Sequence, residues 1–167
     1  MTGLKSDLLK VTLFAIAFAF VEAAVVIYLR HLLSAFHPSV LKEQVLVLLP
    51  GIAFLEPKTA LQIISNSSIL TVERFREAAT LIMLFAVAWL VAKKWEQLIA
   101  FFFFTFSIWD IFYYVFLRLT IGWPSSFLDL DVFFLLPVPW VGPVFVPILI
   151  SIVLIVGSGL YLRKSFR

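Results

Sequence analysis

Thr71-Val-Glu-Arg-Phe-Arg-Glu-Ala-Ala-Thr80 opens a run that continues, wholly apolar, to Ala92. Its first two turns carry Glu73, Arg74, Arg76 and Glu77. On a helix Glu73, Arg76, Glu77 and Thr80 fall at i, i+3, i+4 and i+7, so they share one face. The rest of the run is apolar enough for lipid. A polar stripe entering such a helix costs free energy unless it meets partners, which marks a functional site by default.

The surrounding chain has the composition that this stretch requires. It is 167 residues long, 63% hydrophobic and only 14% charged, with a mean hydropathy of +1.09. A soluble domain is nearer half apolar and a quarter charged. The expectation is an integral membrane protein, with the lipid bilayer as its first partner. The net charge of +3 suits cytoplasmic Lys and Arg flanking membrane spans better than nucleic-acid binding. No cysteine is present, which removes disulfides, thiolate metal sites, iron–sulfur ligation and a cysteine nucleophile. The two histidines, His31 and His37, both follow the first apolar run, so a haem held between two helices is not expected.

Four spans are expected, at about 9–29, 71–92, 97–118 and 143–162, in a single transmembrane domain covering 1–167. In the first, Ala15, Ala19 and Ala23 repeat every four residues and make a small-residue face for a close neighbouring helix. Glu22 lies beside that face. Asn66 in Ser65-Asn-Ser-Ser68 is cap chemistry ahead of the second span. The short turn at Lys93–Glu96 makes the second and third spans antiparallel neighbours. Ser107, Asp110 and Tyr114 form a second polar stripe on the third.

The connections 31–70 and 119–142 are only partly polar. Val45–Leu49 and Ile52–Leu55, flanking Pro50-Gly51, are too short to span and are expected to lie at the interface or re-enter briefly. Pro124, Pro137, Pro139 and Pro143 forbid a continuous helix before the last span. Pro143 itself suits the first turn of that span. The predicted architecture is therefore all-α: a four-helix transmembrane bundle with a Pro/Trp-rich interfacial or re-entrant loop before the last helix.

Four spans put both termini on one side, together with Lys5, Lys10, Lys93, Lys94, Arg163, Lys164 and Arg167. Arg30, Lys42, Lys58 and Arg118 fall on the other. Flanking positive charge then favours both termini in the cytoplasm. Helical rise places Glu22 and Asp110 about 12 Å, and Glu77 about 9 Å, below the outer helix ends. Three carboxylates on three helices thus arrive at one level beside Arg76.

Glu22, Glu73, Arg76, Glu77 and Asp110 are the predicted proton- or cation-binding cluster, with Tyr114, Asp129 and Asp131 as secondary candidates. Glu22, Glu77 and Asp110 against Arg76 leave a formal −2, which at low dielectric calls for protons or a bound cation. Oxygen-only ligands at Glu22, Glu77 and Asp110 would suit a divalent cation such as Mg²⁺, Ca²⁺ or Mn²⁺. Two alternatives remain open: a buried network that only fixes helix register, and a catalytic carboxylate metal centre. The aromatic third span could also line a quinone or pigment site, although lipid-facing packing suits it better.

Trp109-Asp-Ile-Phe-Tyr-Tyr114, Pro137-Val-Pro-Trp-Val-Gly-Pro143 and Glu73-x-x-Arg-Glu-Ala-Ala-Thr80 together resemble a set of uncharacterised bacterial inner-membrane proteins. The resemblance implies a multi-pass protein of the bacterial inner membrane and supplies no activity or cofactor. The leading expectation is a small membrane protein binding a proton or cation, within a transport or electron-transfer assembly. The alternative of a different class is a non-catalytic accessory subunit. Four helices are too few for a roomy path, so either implies a homo-oligomer or other membrane subunits.

Overall fold

The computed structural model describes residues 2–33 and 44–166. His37 and Lys42 lie outside the described residues. The chain runs α1 (Thr2–Leu33), β1 (Val45–Leu49), β2 (Ile52–Leu55), α2 (Ala60–Ile63), α3 (Ser67–Val91), α4 (Trp95–Ile121), β3 (Leu130–Phe134), β4 (Trp140–Pro143) and α5 (Phe145–Ser165).

Local chemistry sets most helix ends. The Asn66 side chain accepts hydrogen bonds from the Ser68 and Ile69 N–H groups at 3.0 and 3.1 Å, capping α3. Gly122 at φ 70° closes α4 in the left-handed conformation. The last helix starts two residues later than Pro143 suggests. That proline ends β4 instead, and Pro147 occupies the first turn of α5.

Helix α4 is central and packs against α1, α3 and α5. Val11 of α1, Ala88 of α3, Leu98 and Phe101 of α4 and Leu162 of α5 form one buried cluster. Those positions are early in α1 and α4 but late in α3 and α5, so the four helices alternate in direction. Both ends of the described chain therefore meet at one end of the molecule. A second cluster joins Ala15 and Ala19 to Leu84, Ile108 and Trp109. Ala15, Ala19 and Ala23 are all fully buried, as a small-residue contact face requires. Gly3–His31, Trp95–Ile121 and Phe145–Ser165 are long and apolar enough to cross a membrane, which fits a membrane protein.

The all-α expectation is corrected by a sheet. Both connections contribute strands, in the antiparallel order β1-β2-β4-β3. Pro50-Gly51, with Gly51 at φ 82°, turns β1 back on β2. Ala53 and Phe54 then pair with Val141 and Trp140, which joins the two connections across some 90 residues of sequence. Strand pairing satisfies backbone groups that short apolar segments would otherwise leave exposed. The fit is tight: a Cβ on Gly142 would stand 2.3 Å from the Gly51 carbonyl oxygen, and one on Gly51 would stand 2.7 Å from Val146. The sheet thereby seats on the first turn of α5, at the end of the helices away from the termini.

Candidate functional site

The second helix face that the sequence marks is the buried one. Glu73, Glu77 and Thr80 of α3 are buried, as are Glu22 of α1, Asp110 and Tyr114 of α4 and Asp131 of β3. Arg76 pairs with Glu22 across the α1–α3 contact and with Glu73 one turn earlier on its own helix. Thr80 Oγ1 donates to Glu22 Oε2 at 3.1 Å. The Leu135 N–H, just beyond β3, donates to both carboxylate oxygens of Glu77 at 2.9 Å. Ser151 Oγ of α5 donates to Asp110 Oδ2 at 2.8 Å.

Asp131 gathers two more elements. The Arg30 guanidinium approaches its Oδ1 at 3.4 Å, and Tyr114 donates to Oδ2 at 3.0 Å. Arg30 also lies over the Trp123 ring, 3.8 Å from its centroid. Burial pushes the Asp131 carboxyl up to about 6, against the opposing pull of Arg30 and Tyr114.

These groups surround one cavity of about 200 Å³ between the helices and the sheet. Its lining includes the carboxylates of Glu22, Glu73, Glu77, Asp110 and Asp131 and the guanidiniums of Arg30 and Arg76, formally −3 with every group ionised. The five predicted cluster residues are all on it, and so are Tyr114 and Asp131. Asp129 is not. Its carboxylate instead accepts from the Ser125 N–H and hydroxyl and the Ser126 N–H, closing a turn. Those bonds, the Ser125 hydroxyl first, hold it below the usual carboxylate range.

Glu22, Glu77 and Asp110 do not meet at a point. Each faces the cavity from its own helix with its own partner, and among the described residues no three Asp, Glu or His side chains converge as metal ligands. Sequence patterning did not single out Arg30, Tyr113, Ser151 or the Leu135 N–H as parts of the site. Ser151 carries a signal, since it is a lone hydroxyl in the apolar run Phe145–Val156. A backbone N–H carries none.

No family model, curated protein or solved structure matches the chain.

Proposed function

We propose that the chain is a small integral membrane protein whose cavity under the sheet binds a proton or a cation, as part of a transport or electron-transfer assembly. The observation that carries this is the charge imbalance around one cavity, five carboxylates to two guanidiniums. Excess negative charge withdrawn from water is held only with protons or a counter-cation.

In this proposal α3 is the fourth span of the bundle. Its charges kept it from the three apolar helices, yet Glu73 and Glu77 are buried and Arg76 is paired inward. Its outward face of Ile82, Trp89 and Leu90 is exposed and suited to lipid. Both termini lie in the cytoplasm of a bacterium, and the sheet sits at the outer interface. The exposed Leu46, Val47, Leu48 and Leu49 of β1 suit contact with headgroups or another subunit.

A second reading has an observation of its own: each of the five carboxylates already has a hydrogen-bond or ion-pair partner. Such a network could serve packing alone, in an accessory subunit. Glu22→Gln, Glu77→Gln and Asp110→Asn separate the two. The measurement is melting temperature over pH and over Na⁺, Mg²⁺, Ca²⁺ and Mn²⁺, since a ligand stabilises only the state that binds it. Proton or cation binding predicts a response in wild type that the variants lose. Identical responses in wild type and all three variants, to pH and to every cation including an organic ammonium, would give the accessory role instead.

A further inference from the structure

Part of the lining of this cavity is a continuous run of aromatic rings. Tyr113 and Trp109 of α4 lie 6.2 Å apart between ring centroids, and Trp109 and Phe106 lie 5.5 Å apart. Phe106 stacks on Phe134 at the end of β3 at 6.5 Å, and Phe134 meets Trp140 of β4 at 6.2 Å. All five rings line the cavity. They join the central helix to the sheet in one surface.

The carboxylates on this cavity are not equivalent. Glu22 and Glu73 share Arg76, and Asp131 has Arg30. Glu77 and Asp110 accept only from uncharged donors, a backbone N–H and a serine hydroxyl, although Arg76 and Arg74 also act on Glu77 electrostatically. Negative charge is thus least compensated at Asp110, with Glu77 next, on the cavity that the aromatic rings also line. The Trp109 ring is only 5% exposed, and its indole N–H has no hydrogen-bond partner among the described residues. A buried donor of that kind costs free energy until an acceptor meets it.

We infer that the cation taken by this cavity is organic: a protonated amine on an apolar, ring-sized body. The inference rests on the cation-binding function proposed above and names its ligand class. Divalent ions need six or more oxygens converging at about 2.0–2.6 Å, whereas these carboxylates are spread around some 200 Å³. An ammonium suits that arrangement, because it is satisfied by one carboxylate and by the faces of aromatic rings. The apolar body occupies the remaining volume, against the rings that line it.

The test uses the full-length protein in detergent micelles, with 2-phenoxyethylammonium as the cationic probe and 2-phenoxyethanol as its neutral counterpart. Binding is read by quenching of tryptophan fluorescence and by melting temperature. The cation should bind and stabilise at concentrations where the alcohol does neither. Asp110→Asn and Glu77→Gln, which keep shape, should each weaken the cation about tenfold while leaving any weak binding of the alcohol unchanged. Folding of each variant is checked by its own melting transition. Equal binding of alcohol and amine would overturn the inference and make the site one for neutral aromatic molecules. Protection by inorganic cations or protons without any effect of the amine would overturn it too, while leaving the broader function standing. No response to any cation or to pH would remove both.

Discussion

Arg30 near the end of α1 meets Asp131 of β3, its guanidinium nitrogen 3.4 Å from the carboxylate, across 101 positions of sequence. With Tyr114 donating to the other carboxylate oxygen, this one buried aspartate ties the sheet to two helices. The Leu135 N–H, bonded to Glu77, adds α3. Acidic side chains thus tie the sheet to three helices.

Stability should therefore depend on pH through Asp131. Its folded value of about 6 lies above the ordinary 3.8. Between those values the native state keeps a proton that the unfolded chain has lost, so this group's contribution falls as pH rises through the window. Asp131→Asn should flatten the decline of melting temperature between about pH 4 and 6, an effect on the order of 1–2 kcal/mol. An unchanged profile in the variant would assign the dependence elsewhere.

Arg76 and Arg74 are two residues apart on α3 and should behave differently. Arg76 compensates Glu22 and Glu73 inside the bundle, so Arg76→Leu leaves two buried carboxylates without their cation. The expected cost is about 3 kcal/mol or more. Arg74 makes no such ion pair among the described residues, and Arg74→Leu should cost less than about 1 kcal/mol. Thermal melting of the solubilised variants compares them directly.

Gly142→Ala tests the seam of the sheet. The added methyl would stand 2.3 Å from the Gly51 backbone oxygen and 3.0 Å from the Phe133 ring. Backbone cannot turn aside as a flexible side chain can, so β2 and β4 must separate, at a cost of about 1–3 kcal/mol. Gly159→Ala has open space around it and serves as the control, which should melt as wild type does or slightly higher.

Orientation can be read with introduced cysteines, since the natural chain has none. Gly3→Cys, Lys94→Cys and Lys164→Cys should resist an impermeant thiol reagent in intact cells. Ser126→Cys, exposed at the sheet end, should react. The opposite pattern would place the sheet and its cavity in the cytoplasmic half while leaving the fold unchanged.

Much of the site was legible because helical periodicity is local. Spacing alone put Glu73, Arg76, Glu77 and Thr80 on one face, and the helix buries Glu73, Glu77 and Thr80 while turning Arg76 inward to its partners. Counting rise per residue brought Glu22, Glu77 and Asp110 to one level, and all three line one cavity. The small-residue face at Ala15, Ala19 and Ala23 was legible for the same reason.

The sequence by itself determined the apolar helices, their polar faces and the antiparallel pairing that the short turn at Lys93–Glu96 imposes. Only the tertiary structure decided what closes over them. Val45–Leu49 and Leu130–Phe134 are each too short to declare a partner, and β2 finds β4 through backbone bonds that any residue but proline can donate. That long-range pairing brings Asp131 to Arg30 and the Leu135 N–H to Glu77. It also sets Phe134 and Trp140 beside the rings of α4. Helix faces follow from bonds between residues four apart, whereas the cavity exists because strands almost ninety residues apart found one another.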